Sequence, residues 1–326
     1  MKSALPPPPA LEGVAWRPAD PSDAASISIL LDACFEVDGS YREVESEILE
    51  RFDGPDVDAS TDTLIAVNTD GEVLMSIWSY VPANAETLWR AFGDVHVHPD
   101  LRPELSEFAI DWWETRSRQR LAAMSNDLPK VLWYGLYAHQ TEEITLLEAR
   151  GYEIRRYYDE LIRDLSMPIA AQPLPAGIVL IPADEAKPGD ELRVHNESFR
   201  DHWGSQPFSQ ERWNQFRNEF YLPDASYVAY HGDDPVGHIF CTQYPHDFED
   251  RGFTHSWIES LGVVPGHRKQ GLASAMIAVA LRDFLDDGME FAVLDVDSEN
   301  PTGAYGVYED QGFVLDRRSV ALLKDV

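Results

Sequence analysis

The chain has 326 residues, with 57 Asp and Glu against 26 Lys and Arg, so its formal net charge at pH 7 is -31. Such a surface repels nucleic acid and anionic lipid, and we expect neither as a partner. No run reaches the roughly 20 apolar residues of a membrane span, and prolines interrupt the N-terminus where a signal peptide is apolar. We therefore expect a cytoplasmic protein. Two distant cysteines in apolar segments, with no cluster at zinc-ligand spacing, predict buried thiols and no metal site.

The length and the 44% hydrophobic content favour two domains. Residues 1–13 carry the run Pro6 to Pro9 and predict an extended leader. A second proline-bearing stretch, 167–176, predicts a linker between a domain at 14–166 and another at 177–326.

The two predicted domains run through the same elements in the same order. Each opens with a strand, a cap and an amphipathic helix, in "VAWRPADPSDAASISILLDACF" and in "GIVLIPADEAKPGDELRVHNESF". Each continues with a hairpin and then a strand ending in V-x-P, at Pro99 and at Pro265. Each closes with a short helix ended by glycine, at Gly151 and at Gly312. This pattern predicts a tandem duplication of one α/β unit, with a mixed, mostly antiparallel twisted sheet flanked by helices.

One loop of the second copy points to chemistry. The strand "SWIESLGVV" leads into "PGHRKQGLA", and a helix follows. A strand, a glycine turn and a helix N-terminus direct several backbone N–H groups into one concavity, which is a phosphate-binding geometry. Gly271 permits close approach, Ala273 leaves room for an anion, and His267, Arg268 and Lys269 add positive charge. The loop matches neither the Walker motif nor the dinucleotide fingerprint.

The motif "RKQGLA" resembles the [Q/R]-x-x-G-x-[G/A] signature of the GNAT acyltransferase superfamily, whose backbone amides hold the pyrophosphate of acetyl-CoA. "LGVVP" resembles the strand before that loop, and "ENPTGAYGVYEDQGF" resembles the late motif of the family. The resemblance covers most of Gly177 to Val326. The whole chain is similar to tandem GNAT proteins of the mycothiol synthase type, which implies two tandem GNAT folds and acetyl-CoA as co-substrate.

The resemblance also implies the cofactor-binding residues. The strand that parts from its neighbour would bind the pantetheine arm, the loop would bind the pyrophosphate, Asn300 would contact the CoA arm, and Tyr308 would lie near the sulfur. Asn300 could equally cap the helix that begins at Pro301. In this sequence the implied set is Leu261, Gly262, Val263, His267, Arg268, Lys269, Gln270, Gly271, Leu272, Ala273, Ser274, Asn300 and Tyr308.

The first copy departs from the signature. Its equivalent stretch is "RPELSE", in which Leu105 replaces the glycine and Glu107 replaces the small residue. Pro103 removes an amide donor, and Glu104 places a further carboxylate where phosphates would bind. We therefore expect a degenerate GNAT domain that does not bind CoA.

Transfer of an acetyl group needs a base for the amine and an acid for the departing thiolate. The resemblance implies Tyr308 as the acid, and the first copy has Leu147 at that position. The alternative is a core aromatic. Glu259 is our candidate base, because strand alternation predicts Trp257, Glu259 and Leu261 on one face and an apolar strand raises a carboxyl pKa. A structural ion pair, His255 as base, a water chain and direct solvent access remain alternatives.

The acceptor side is predicted at the early helices of the second copy. Its loop "FRDHWG" supplies His202 and Trp203 as candidate substrate-binding residues, with a packed tryptophan and an exposed histidine as the alternative. Asp295 and Asp297 share a strand face, and we include Asp295 as a possible partner of the amine.

The preferred interpretation is an acetyl-CoA-dependent N-acetyltransferase that acts on a primary amine of a small molecule by direct attack on the thioester. Acetylation of a protein N-terminus or lysine is an alternative, as is a non-catalytic protein that binds acetyl-CoA. Both a monomer and a homodimer are compatible with the sequence. The tail after Gly312 is short for the final strand pair of the family, so the other copy or a partner would complete the sheet edge.

Overall fold

A computed structural model of the chain describes residues 4–54, 56–82, 84–299 and 303–326. Two compact units are present: unit 1 comprises Met1–Arg155 with Val320–Val326, and unit 2 comprises Arg156–Ser319. Segment 167–176 contains no helix or strand. The domain boundaries given by the sequence stay a prediction.

Unit 1 contains a mixed sheet in the order β1-β2-β3-β4-β5, with the end of β12 next to β5. Neighbouring strands from β1 to β4 are antiparallel, and β4 with β5 is parallel. The segment after Ser319 reaches β5, where Val326 N–H donates to Lys130 O at 3.0 Å. The strands are β1 (Ala15–Arg17), β2 (Thr63–Val67), β3 (Val73–Tyr80), β4 (Trp89–Val97), β5 (Lys130–Tyr137) and β12 (Val314–Asp325).

The longer helices of unit 1 bury apolar side chains against the sheet. The helix α1 turns Ile27, Leu30, Leu31 and Cys34 inward, at the spacing of a half-buried helix. In the leader, Leu5 and Leu11 pack against the apolar core of this unit. The helices are α1 (Ala24–Asp38), α2 (Glu45–Phe52), α3 (Ala59–Asp62), α4 (Arg102–Ala123) and α5 (Thr141–Ala149).

Unit 2 repeats this plan with the order β7-β8-β9-β10-β11-β6. Its strands are antiparallel except for the parallel pair β10 and β11. The strands are β6 (Glu153–Asp164), β7 (Ile178–Pro182), β8 (Tyr227–His231), β9 (Asp234–Thr242), β10 (His255–Val263) and β11 (Phe291–Asp297).

Helices cover both faces of the sheet in unit 2. The Ala-rich α9 packs on one face, where Leu272 and Met276 lie against Gly237 of β9. The helix α6 packs on the other face, where Ser198 and His238 adjoin Gly262. We call this second side the α6 face. The helices are α6 (Asp190–Ser198), α7 (Gln210–Phe216), α8 (Phe248–Arg251), α9 (Leu272–Asp286) and α10 (Ala304–Asp310).

The strand that borders β11 comes from the first half of the sequence. Residues 158–164 of β6 pair antiparallel with all seven residues of β11, from Tyr158 opposite Asp297 to Asp164 opposite Phe291. The short tail after Gly312 thus does not supply this strand, as the sequence indicated.

The predicted fold class and duplication are confirmed. Corresponding elements occur in the same order in both units, and the short helices α5 and α10 end alike. Gly151 N–H donates to Glu148 O in one unit, and Gly312 N–H donates to Glu309 O in the other. Among the helices of the described residues, none has the length and apolarity to traverse a bilayer.

Candidate active site

The strands β10 and β11 part from each other in the middle of unit 2. They pair only from His255 opposite Phe291 to Trp257 opposite Val293. Beyond that point β10 continues along β9 to Val263, and β11 continues along β6 to Asp297. We call the resulting opening, between residues 258–263 and 294–297, the strand gap. It leaves the facing edges of the two strands free of hydrogen bonds to each other, so a ligand can pair with them.

A β-bulge lies at the base of the strand gap. The register of β10 with β9 shifts between Ile258 and Ser260, which leaves Glu259 as the extra residue. Alternation had predicted Trp257, Glu259 and Leu261 on one face, and this is wrong for Leu261. Because the bulge adds one residue, the side chains after Glu259 lie on the face opposite to the one that regular alternation predicts. Leu261 therefore packs into the core with Ile258.

Glu259 points to the α6 face and is held by hydroxyl groups. Its Oε1 accepts hydrogen bonds from Thr242 Oγ1 at 2.9 Å and from Tyr244 OH at 3.1 Å. The side chain is open to solvent, yet protein surrounds it on the sides. Withdrawal from bulk water raises the pKa of the carboxyl, and the two hydroxyl donors partly oppose this rise.

Asp295 lies on the same face of β11 as Val293, the last residue paired with β10. Glu160 of β6 is its cross-strand neighbour. Among the described residues, no hydrogen-bond donor or cation pairs with the Asp295 carboxylate. Asp295 is exposed to solvent, but the protein around it partly withdraws the carboxyl from bulk water and raises its pKa to about 7, and the negative charges of Glu160 and Glu259 add to the rise.

The loop after β10 leads into α9 with an open, amide-rich turn. Two of its residues have left-handed backbones, Lys269 with φ 58° and Gly271 with φ 83°. Gly271 caps α9 without any side-chain hydrogen bond, so the first amides of the helix have no side-chain partner there. A Cβ added at Gly271 would meet no atom within 4 Å, which shows open space above these amides. Lys269 and Gln270 are exposed beside it.

Arg268 uses its guanidinium within the protein. The group donates to Val263 O at 3.0 Å and to Ser198 O at 2.7 Å, and it lies 3.5 Å from Asp201. His267 lies 3.4 Å from a ring nitrogen of His231. The side chain of Arg268 thus ties the end of β10 to the end of α6.

Gly262 lies where β10 passes closest to α6. A Cβ at this position would collide with Ser198 Oγ and lie 2.8 Å from His238 Nε2. We expect Gly262→Ala to lower the free energy of unfolding by about 1–3 kcal/mol, since the neighbours must move. Gly266→Ala is the matched control, because its Cβ would meet nothing within 4 Å. Urea unfolding measures both, and equal midpoints for the two variants would contradict this packing.

A buried polar cluster lies beneath the bulge. His195 Nδ1 is 3.1 Å from Ser260 Oγ, and His238 Nε2 is 3.4 Å from the same oxygen. Burial lowers the pKa of both histidines, so the two rings stay neutral. The sequence analysis missed this cluster, although a histidine within the apolar strand "PVGHIFCT" is a visible signal.

Tyr308 is 8% exposed and belongs to the core cluster around α9. Its ring packs edge-on against Phe313 at 6.0 Å. Burial raises its pKa to about 12, so the hydroxyl keeps its proton at neutral pH. Asn300, the predicted contact of the CoA arm, lies outside the described residues.

The loop after α6 brings His202 and Trp203 towards the end of β11. The ring of His202 contacts Phe199, and the guanidinium of Arg156 lies 4.4 Å above the ring of Trp203. Arg156 also pairs with Asp297 at 3.6 Å. Asp297 therefore has an ion-pair partner in Arg156, which also pairs with Glu299 at 2.7 Å, whereas Asp295 has none among the described residues.

Three other residues of this region could not be assigned from the sequence. Glu160 forms an ion pair with Arg251 at 2.7 Å, and Arg251 also pairs with Asp316 at 2.8 Å. These residues belong to β6, α8 and β12, which are far apart in the chain, and no local pattern connects them.

The equivalent region of unit 1 lacks the open turn. There α4 begins at Arg102, directly after a 3-10 turn at Pro99–Leu101, whereas residues 268–271 separate the corresponding turn from α9. Leu105, in the place of Gly271, is fully buried. Arg102 nevertheless repeats one contact of Arg268, since it donates to Val97 O at 3.4 Å. It pairs with the Asp38 carboxylate at the end of α1, where Arg268 donates to a backbone carbonyl of α6.

In unit 1, charged side chains follow the paired segment of β4 and β5. These strands pair from Trp89 to Gly93, and the next residues of β4 enter an ion-pair cluster. Its members are Glu43, Arg51, Asp94 and His96. Burial opposes protonation of His96, but the Asp94 carboxylate outweighs it and raises the pKa to about 10. In unit 1 these residues thus form a network of two cations and two carboxylates.

Comparison with known proteins gives matches to this region and to the whole chain. The model of the acetyltransferase (GNAT) family matches residues 191–313. N-alpha-acetyltransferase 30 of Schizosaccharomyces pombe is 30% identical over 115 residues, which are 35% of this chain and 72% of that protein. A mycothiol acetyltransferase of Salinispora arenicola is 30% identical over 169 residues, which are 50% of this chain and 53% of that protein.

The fold also matches a solved structure along its length. A GCN5-related N-acetyltransferase from Sphaerobacter thermophilus has a TM-score of 0.72 and 24% identity. The match covers 99% of this chain and 97% of that one. In the curated relatives the matched part is shorter: the chain spans about half of the mycothiol acetyltransferase.

Proposed function

Because the chain belongs to the GNAT family of acetyltransferases, we propose that unit 2 transfers an acetyl group from acetyl-CoA to a primary amine of a small molecule. The observation that carries this proposal is the strand gap, which opens on β10 a few residues before the amide-rich turn at Gly271. The strand β10 thus has a free edge that could pair with the extended pantetheine arm of acetyl-CoA. The turn after this strand could bind the phosphates.

The residues of unit 2 fit acetyl-CoA. The first amides of α9 and the open space at Gly271 suit the pyrophosphate, with exposed Lys269 as a cation beside it. Leu261, Gly262 and Val263 form the edge that would pair with the pantetheine arm. Arg268 would act by fixing the loop, because its guanidinium is already engaged with Val263 and Ser198. Bound acetyl-CoA supplies the activated carbonyl and the thiolate leaving group.

Direct attack requires that the ammonium of the acceptor lose a proton before the C–N bond forms. Glu259, the base predicted from the sequence, and Asp295 both face the strand gap with raised pKa values. An amide of β10 would stabilise the oxyanion. Tyr308 would return a proton to the thiolate, a role supported by its retained hydroxyl proton.

A small acceptor is favoured over a polypeptide by the loop that carries His202 and Trp203. Arg156 lies against Trp203 and pairs with Asp297, so the carboxyl end of β11 is covered rather than open as a groove. The relatives include both a mycothiol acetyltransferase and an N-alpha-acetyltransferase. Acetylation of a protein N-terminus or lysine is therefore the second candidate.

A thiol-release screen combined with calorimetry tests the proposal. We expect micromolar binding of CoA and release of thiol with at least one class among simple amines, aminoglycosides, amino acids and peptides. Turnover with peptides alone would favour the second candidate, and binding without turnover would favour a sensor. Absence of CoA binding would overturn the proposal.

A further inference from the structure

We propose that Asp295 takes the proton from the ammonium of the acceptor, and that Glu259, on the opposite strand, holds this ammonium in the strand gap. This inference rests on the proposed function. It divides between two side chains the roles that the sequence analysis assigned to Glu259 alone.

Both carboxylates lie immediately beyond the last strand pair. Trp257 and Val293 close the paired segment of β10 and β11. The next residue of β11 on the same face is Asp295, and the bulge places Glu259 at the corresponding point of β10. Thr242, which donates to Glu259, marks the same α6 face. An ammonium entering the gap from this face meets one carboxylate on each wall.

The partners of the two carboxylates differ. Glu259 accepts two hydroxyl hydrogen bonds on Oε1, which fix its position and favour its charged form. Among the described residues, Asp295 has neither a hydrogen-bond donor nor an ion-pair partner. A fixed, charged carboxylate suits the binding of a cation, and an unpartnered carboxylate suits reversible protonation.

The charges around Asp295 favour its protonated form. Glu160 and Asp159 of β6 and Glu259 of β10 are negative, and Arg251 of α8 is the cation that opposes them. Arg251 is shared by Glu160 and Asp316, which weakens its effect on Asp295. Burial and these carboxylates bring the pKa of Asp295 to about 7, close to the operating pH of a general base.

The proton balance is as follows. Asp295 accepts one proton from R–NH3+, and the neutral amine attacks the acetyl carbonyl. The C–S bond breaks as the tetrahedral intermediate collapses. The nitrogen loses a second proton, and the CoA thiolate gains one. Asp295 then releases its proton to solvent, which reaches this side chain. The products are the acetamide, CoA thiol and one proton.

The pH profile of kcat tests the role of Asp295. The wild-type rate should rise with pH around 7. Asp295→Asn should lower kcat about 100-fold and remove this rise, with the affinity for CoA unchanged. Asp295→Glu should restore part of the rate. Asp286→Asn is the control and should keep the wild-type profile, since this exposed carboxylate lies at the last residue of α9, outside the strand gap. A wild-type-like profile for Asp295→Asn would overturn the assignment.

Glu259→Gln separates the two carboxylates. If Asp295 is the base, removal of the neighbouring negative charge lowers its pKa, so the rise in kcat moves to lower pH while KM for the acceptor increases. If Glu259 is the base, the rise disappears instead, and the proposal is wrong. Thermal melts verify folding of each variant.

The outcome is distinguishable from failure of the proposed function. Calorimetric binding of CoA and turnover by the wild type establish the acetyltransferase first. If the wild type neither binds CoA nor turns over, the proposed function is wrong. If it does both and the pH profile of Asp295→Asn is the same as that of the wild type, only the assignment of Asp295 as the base is wrong.

Discussion

Ala273→Glu is expected to weaken acetyl-CoA binding by about 100-fold or more without loss of stability. Ala273 lies in the first turn of α9, next to the open space at Gly271. A carboxylate there faces the phosphates and repels them, whereas the same charge at a helix N-terminus interacts favourably with the uncapped amides. Binding and stability should therefore change in opposite directions.

The substitution copies unit 1, where Glu107 occupies the corresponding position of α4. Calorimetry with CoA and a thermal melt measure the two effects. Ala273→Gln is the control, because it adds the same bulk without charge and should bind CoA far better than the glutamate variant. Equal affinities for the two variants would show that phosphates do not approach this turn.

Tyr308→Phe is expected to lower kcat about 100-fold and to leave the affinity for CoA unchanged. The hydroxyl keeps its proton because burial raises its pKa to about 12. Among the described residues it forms no hydrogen bond, so its removal should not lower stability. Without this donor, the thiolate must leave unprotonated or take a proton from water.

Steady-state thiol release and calorimetry separate these effects. Tyr305→Phe is the matched control on α10, and it should retain wild-type kcat because the Tyr305 phenol interacts with Asp159. Unchanged turnover by Tyr308→Phe would assign the proton donor elsewhere and leave Tyr308 as a core aromatic.

Local sequence patterns were sufficient to predict the order of the helices and strands and the position of the open turn before α9. Alternation, glycine ends and prolines act over a few residues, and they correctly indicated both copies and the helix that starts after Gly271. The bulge at Glu259 could not be predicted in this way, because the extra residue is defined by the register of β10 with β9, which the sequence of β10 does not contain. Glu160 was missed because its strand pairs across the sequence.

Arg268 shows a further limit of sequence patterns. Beside a glycine loop, an arginine indicates a phosphate ligand, yet its guanidinium donates to two carbonyl groups. One signal was available: the first copy retains Arg102 while it lacks the glycine and the small residue. Since both arginines donate to the carbonyl five residues before them, Val97 O and Val263 O, a structural role explains the arginine in both copies.

The origin of β6 has a consequence for how the gene can evolve. A deletion of the coding sequence up to residue 176, the end of the predicted linker, would remove Tyr158–Asp164, and with it every strand hydrogen bond on one side of β11. Glu160, which neighbours Asp295, would be lost at the same time. A gene for the second copy alone would therefore have to begin before residue 156 rather than at the predicted domain start, Gly177, to keep the strand that borders β11.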